Sequence, residues 1–214
     1  MIHPNTELRF ISDDVGLGVV ATQFIPKGTI VYVYDSFNLI LPLSKIKKLD
    51  PLYLLVLDKY CYCDEKGNYV LEWDIARYMN HSFIPNCIPT AYEFDLAVRD
   101  ISPGEELTED YAFLNLKEEE PFTPIPEAGA SRTRLLPGDL LKYYQGWDTQ
   151  LVEAFKHFNK VDQPLSKFIS RRYRRRVKSV ADGKREMDSI LNISDVYDKS
   201  IARFTRLRDK YRRR

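Results

Sequence analysis

Arg77-Tyr78-Met79-Asn80-His81-Ser82, followed by Pro85-Asn86-Cys87, and further along Gly104-Glu105-Glu106-Leu107-Thr108-Glu109-Asp110-Tyr111 are the two stretches on which the fold turns. An adjacent asparagine and histidine offer both donors and acceptors, which suits the reading of a polar ring edge such as adenine. The second stretch packs acidic groups ahead of a tyrosine. Taken singly, the first is also a polar turn with a satisfied histidine, and the second an acidic loop. A third feature lies upstream, Val15-Gly16-Leu17-Gly18-Val19. Its glycines let backbone approach a ligand closely. It lacks the third glycine and the helix of a dinucleotide fingerprint, and alone it is a glycine turn between strands.

Outward from these stretches the first part reads as short strands with tight turns. Val19 to Phe24, Ile30 to Tyr34, Tyr60 to Cys63 and Tyr69 to Leu71 are β-branched or aromatic runs, and Phe94 to Ile101 alternates. Asp64 to Asn68 reads as a hairpin loop. Ile25-Pro26-Lys27-Gly28-Thr29 and Ile101-Ser102-Pro103-Gly104-Glu105 are a pair of similar turns in which proline presets φ and glycine accepts a positive one. Ser44 to Asp58 reads as a helical insert interrupted at Pro51. From Pro121 to Pro137 prolines and glycines predict irregular chain. Beyond Gly138, Leu140 to His157 and Leu165 to Val180 have helical spacing, and Ser189 to Tyr211 reads as a third helix capped by Ser194 or Asp195.

The balance of charge divides the chain at the same place. Residues 1–138 carry 12 basic and 21 acidic side chains, a net −9, and residues 139–214 carry 20 and 10, a net +10. We therefore expect two regions, 1–138 and 139–214, with different electrostatic tasks. The odd count of cysteines, Cys61, Cys63 and Cys87, excludes a full disulfide framework and favours a reducing compartment. No apolar run approaches the roughly 18 residues of a membrane span, and the start has no apolar stretch of signal-peptide type. The expected setting is cytoplasmic, with delivery to a host cell left open.

The order of the three motifs resembles the SET-domain protein-lysine methyltransferases over roughly residues 8–140. The pattern is most similar to small stand-alone SET proteins of bacteria, which share Asp110-Tyr111, Leu114-Asn115-Leu116 and Pro121-Phe122. The resemblance implies an α+β chain: a SET β-fold of several small sheets with a pseudoknot-like motif, followed by a helical C-terminal extension. It implies S-adenosylmethionine as methyl donor, held by Gly16, Leu17, Gly18, Asn80, His81 and Tyr111. It implies Tyr111 as the catalytic residue, with Tyr34, Tyr62 and Glu109 along the lysine channel. Glu109 occupies a position where many relatives carry Phe or Tyr. It either accepts a hydrogen bond from a lysine ammonium or points to solvent.

One departure from the family is complete. Many members bind zinc through a cysteine after Asn-His-Ser and three more in a later segment. Here those slots hold Phe83, Pro124, Pro126 and Ser131, with Arg132 retained. None of the four can ligate zinc, so the post-SET-like segment, about 121–138, is expected to close without metal, with Phe83 packed near the two prolines. Ile125, Phe113 and Trp147 are the candidates to cover the adenine. Cys61 and Cys63 read as structural thiols. The implied partner is a Lys/Arg-rich protein attracted to the acidic first region. The run Arg171 to Arg176 and the ending Arg208 to Arg214 are open to three readings: nucleic-acid contact, packing against the acidic first region, or a solvated helix face. The rival function is a nucleic-acid-binding or adaptor protein whose SET-like domain has lost turnover.

Overall fold

In a computed structural model the described residues are 1–64, 67–114 and 124–193. The ending Arg208 to Arg214, nearly all of the expected third helix and the middle of the Asp64–Asn68 loop lie outside them. So do Asn115-Leu116 and Pro121-Phe122. The chain is α+β, with small sheets first and helices last. β1 (Thr6–Ser12) and β2 (Gly16–Ala21) form an antiparallel hairpin. β3 (Ile30–Val33), β8 (Cys87–Pro89) and β9 (Phe94–Ala97) form a second sheet in the order β3-β9-β8. β4 (Leu39–Leu41), β5 (Cys61–Cys63) and β6 (Tyr69–Leu71) form a third, with β6 central. The fourth pairing is parallel and two residues long: β7 (Asn80–His81) beside β10 (Thr108–Glu109).

Local chemistry accounts for the joints. The two similar turns bind each other, since Ile25 and Ile101 exchange both backbone hydrogen bonds at 2.9 Å. In the insert, α1 (Leu43–Ile46) stops short and α2 (Pro51–Tyr60) begins at the proline. Asp50 accepts a hydrogen bond from the Leu52 amide at 2.9 Å, so Pro51 sits where a missing N–H costs nothing. The interruption at Pro51 is therefore a fresh start after a loop.

α3 (Asp139–Phe158) covers the predicted Leu140–His157 helix with one residue added at each end. The predicted helix 165–180 is split into a 3-10 turn, Ser166–Phe168, and α4 (Arg174–Ala181). The Arg174 guanidinium folds back onto the carbonyls of Lys167 (2.7 Å) and Ile169 (2.9 Å), satisfying groups that a continuous helix would have bonded internally.

Two apolar clusters underlie the site. One joins Val19, Ala21, Ile25, Val31, Met79, Ile101 and Leu107 beneath the β1–β2 hairpin. The larger one joins Ile30, Val33, Phe94 and Leu96 of the sheets to Leu140, Trp147, Leu151, Phe155 and Phe158 of α3. The C-terminal region thus shares its main core with the first region. Among the described residues no helix is long and apolar enough to cross a membrane.

Candidate active site

Asp74 starts the construction. Its carboxylate accepts from the Ala76 amide at 3.0 Å, capping the short turn Ile75–Tyr78 that delivers Met79 and Asn80 into β7. The Asn80 side-chain nitrogen donates to the Leu17 carbonyl (2.9 Å) and to Glu106 (2.6 Å). A methyl at Gly18 would overlap the Glu106 carboxyl and the Asn80 amide, so these side chains would have to shift. Gly16 has a positive φ, with open space where a side chain would project. Asn86, buried, holds the opposite flank: its nitrogen donates to the Glu106 carbonyl (2.7 Å) and its oxygen accepts from the Thr108 amide (2.9 Å). Residues 106–109 are thereby fixed between β2 and β7, since Leu107 also donates to the Val19 carbonyl (2.7 Å) and Ser82 to that of Glu109 (2.8 Å).

The His81 side chain is 5% exposed, and its Nδ1 accepts from the Tyr111 amide at 3.2 Å. Its ring stands edge-on to Phe83, with centroids 4.4 Å apart. Burial and then the Arg132 charge lower its pKa to about 4, so the ring is neutral at pH 7. The Tyr111 hydroxyl donates to the Met79 carbonyl at 2.8 Å. That bond directs the phenolic hydrogen toward the backbone and turns oxygen lone pairs outward. Gly16, Leu17, Gly18, Asn80, His81 and Tyr111 are thus brought into one neighbourhood.

The three channel candidates lie near enough for charge to act between them. Burial raises the Tyr62 pKa well above its usual value, and the charges that raise it further are Glu72, Tyr34, Asp95 and Glu109. Glu109 is only partly exposed, and its carboxyl is close enough to Asp95 for each to affect the other's protonation. It does not simply point to solvent. Burial, then the neighbouring Asp95, holds Glu109 well above the carboxylate range. Burial likewise pushes Asp95 up to about 6 and Glu72 up to about 8. Asp95 and Glu72 escaped the motif-based reading. Asp95 nevertheless had a signal, an acid within the apolar strand Phe94-Asp95-Leu96-Ala97, all four residues of which are buried.

Residues beyond Pro124 close the site with a different clasp from the expected one. The Glu127 carboxylate accepts from the Ser82 hydroxyl (2.8 Å) and from the amides of Phe83 (3.1 Å) and Ile84 (3.3 Å). Arg132 pairs with Asp110 and with Asp139 (3.2 Å). Its guanidinium carbon lies 4.8 Å from the Phe83 ring centre, 4.5 Å from that of Tyr143 and 5.7 Å from that of Trp147. Phe83 therefore packs on His81 and Arg132. Of the two prolines expected beside it, Pro124 is buried and Pro126 exposed. Among the candidates for covering an adenine, Phe113 and Trp147 are buried edge-on against each other at 4.5 Å, and Ile125 is half exposed.

In the basic run, Arg172 pairs with Glu93, Arg174 with backbone carbonyls and Arg176 with Asp188. Of the three readings open for the run, the Arg172–Glu93 pair belongs to packing against the acidic first region. Arg171 and Arg175 are exposed.

Comparison with known proteins agrees with this geometry. A family model described as SET domain matches residues 16–112. The chain is 29% identical over 127 residues to the histone-lysine N-methyltransferase SETMAR of Rattus norvegicus, covering 50% of this chain and 40% of that protein. It is 33% identical over 111 residues to the histone-lysine N-methyltransferase trr of Drosophila melanogaster, covering 46% of this chain and 4% of that one. It is 31% identical over 120 residues to an H3 lysine-36 specific histone-lysine N-methyltransferase of Schizosaccharomyces pombe, covering 48% and 14%. The chain spans less than half the length of each of these relatives.

Proposed function

Because residues 16–112 form a SET domain, we propose that the chain is an S-adenosylmethionine-dependent protein-lysine N-methyltransferase acting on a basic protein. The observation that carries this reading is the joining of Asn80, His81 and Tyr111 by the β7–β10 pairing, with Tyr34, Tyr62 and Glu109 gathered beside them. The residues fit the donor. The Met79 carbonyl, the Glu106 carboxyl and the Leu17 backbone make an acceptor-rich wall, suited to a ligand that carries an ammonium and a sulfonium. The open space over Gly16 leaves the backbone approachable. Leu17, Asn80 and His81 would hold it, and bound there it supplies an electrophilic methyl group.

The residues then have two tasks. The lysine amine must be neutral, and at pH 7 removing a proton from a group of pKa about 10.4 costs roughly 4.6 kcal/mol. Desolvation among Tyr34 and Tyr62 lowers that cost. The Tyr111 oxygen accepts from the amine and aligns its lone pair, while its own hydrogen stays on Met79. The proposed partner is a lysine-rich protein drawn by the acidic first region, and the proposed setting is the cytoplasm. Nucleic-acid contact through Arg171–Arg176 gains nothing from the internal pairing of Arg172, Arg174 and Arg176.

The test is transfer of a labelled methyl group to core histones, alongside equilibrium dialysis of S-adenosylmethionine. Tyr111→Phe is expected to lose transfer by roughly 10²-fold or more while cofactor binding stays within a few-fold. Near-normal transfer by that variant would overturn the assignment of Tyr111.

A further inference from the structure

The insert holds a helix that is apolar on every side yet covered on only one. α2 reads Pro51-Leu52-Tyr53-Leu54-Leu55-Val56-Leu57 before its first charge. A helix of that kind ordinarily lies inside a core or a bilayer. Here Leu57 is buried with Leu41, Ile46 and Tyr69, and Leu54 packs against this small cluster. The opposite side is open. Leu52 is 73% exposed, Leu55 64% and Val56 55%, and the exposed Lys59 completes the stripe. The spacing 52, 55, 56, 59 is that of a single helix face (i, i+3, i+4, i+7). These side chains therefore form one continuous ridge, with Tyr53, also exposed, at its margin.

The charge around the ridge also departs from its surroundings. Residues 39–60 hold four lysines, Lys45, Lys47, Lys48 and Lys59, and two aspartates, a net +2. Residues 1–138 as a whole carry −9, so the rest of that region carries −11. All four lysines are exposed, and none is ion-paired among the described residues. Ile46 of α1 shares the small cluster with Leu57, which holds the lysines of α1 and the following turn beside α2. An apolar stripe with lysines at its edge fits a surface that is anionic outside and apolar just beneath. Lysine stems lie along apolar material while their ammonium groups stay among headgroups, and tyrosine favours the same boundary. A protein partner fits less well, because binding hot spots favour Trp, Tyr and Arg and seldom use Leu or Val. A second copy of this chain would set lysines against lysines across a two-fold axis.

We propose that the outward face of α2, together with the neighbouring lysines, is a peripheral binding site for an anionic phospholipid surface. The helix lies in the plane of the surface. Leu52, Leu55 and Val56 enter the boundary between headgroups and acyl chains, and Lys45, Lys47, Lys48 and Lys59 meet the lipid phosphates and carboxylates. At 10 residues α2 is far too short to span a bilayer, and its inner face stays on its own cluster, so binding is reversible. Attachment needs both the apolar and the electrostatic contribution, since neither alone holds a protein firmly at a membrane. The site is independent of methyl transfer and stands even for a chain that methylates nothing.

The test is co-sedimentation of the full chain with vesicles of phosphatidylcholine alone and of phosphatidylcholine mixed with phosphatidylserine. Binding is expected on the phosphatidylserine vesicles only. Leu52→Gln combined with Leu55→Gln should weaken it by on the order of tenfold or more. Lys47→Gln combined with Lys48→Gln should weaken it about fivefold per lysine, whereas Lys160→Gln, an exposed lysine of the C-terminal region, should change it little. Both leucines are exposed, so their variant should melt no lower than the wild type. Val56→Gln takes its place if it does. Equal binding to both kinds of vesicle, or to neither, overturns the proposal. Binding that the leucine substitutions leave unchanged but salt abolishes assigns the contact to the basic C-terminal region and also overturns it. Retention on polyglutamate without vesicle binding would identify an acidic protein as the partner. A doubled mass in sedimentation equilibrium that the leucine substitutions abolish would identify a second copy. Either result displaces the membrane.

Discussion

Arg132 shows how a single side chain can tie distant parts of the chain together. Its guanidinium sits among three aromatic rings and bridges Asp110 and Asp139, joining the segment after Pro124 to the loop that carries Tyr111. Asp110 is fully buried, so removing its partner leaves an uncompensated charge. Arg132→Met is expected to cost about 3–5 kcal/mol in urea unfolding. Adding Asp110→Asn should recover part of that loss. Recovery separates an unpaired charge from simple loss of packing. The sequence singled out Phe83, Pro124, Pro126, Ser131 and Arg132. It did not mark the contacts that Arg132 and Glu127 make. Cation–π and carboxylate–amide contacts join residues far apart in the chain and leave no periodic mark. Glu109 was singled out by motif, whereas Asp95 and Glu72 needed the sheets to bring them to it.

At the scale of elements, strands with β-branched alternation were legible and the shortest ones were not. β6 was read at its full length and β3 to within one residue. β1, Thr6-Glu7-Leu8-Arg9-Phe10-Ile11-Ser12, is largely exposed and mixes charge with apolar residues, so no pattern announces it. β7 and β10, two residues each, have no room for one. The Ile25–Thr29 turn is tied to the C-terminal region more tightly than its sequence suggests. Gln163 donates to the Gly28 carbonyl (2.7 Å) and accepts from the Ile30 amide (2.9 Å). Gly28 has φ +88°, and a methyl there would lie 2.7 Å from the Ala154 carbonyl and 2.8 Å from His157 Cβ. Gly28→Ala should destabilise by more than about 1 kcal/mol, through both strain and overlap. Gly104→Ala, where φ is +85° and the space is open, should cost less. Equal losses in thermal melts would refute the overlap.

For the molecule as a whole, stability should fall away on both sides of mildly acidic pH. The folded pKa of His81 lies near 4, below an unfolded value near 6.5. The native state therefore binds this proton less readily, and stability drops as pH falls from about 6.5 through 4, by about 3 kcal/mol in all. Glu72 acts oppositely. Its folded pKa of about 8 exceeds its ordinary value of 4.5, so stability present at low pH is lost as pH rises from 4.5 through 8. Glu72→Gln should stabilise the fold at pH 9 by on the order of 1 kcal/mol or more, read as a higher urea midpoint, with a gain that shrinks toward pH 5. An alkaline limb identical to that of the wild type would show that Glu72 is not the group responsible. The electrostatic boundary at residue 138 does not coincide with a break in the core, because α3 supplies a large share of the main cluster. A fragment of residues 1–138 should therefore fail to give a dispersed NMR spectrum.

The parallel pairing of β7 with β10 has a consequence in time. Thr108 meets Asn80 and Glu109 meets His81 across a stretch of chain that contains β8, β9 and the Ile101–Glu105 turn. Closing such non-local contacts is slow, because the chain loses loop entropy before any contact compensates for it. The neighbourhood of Tyr111 therefore does not assemble from local contacts alone, and a partly folded chain, however compact, lacks it.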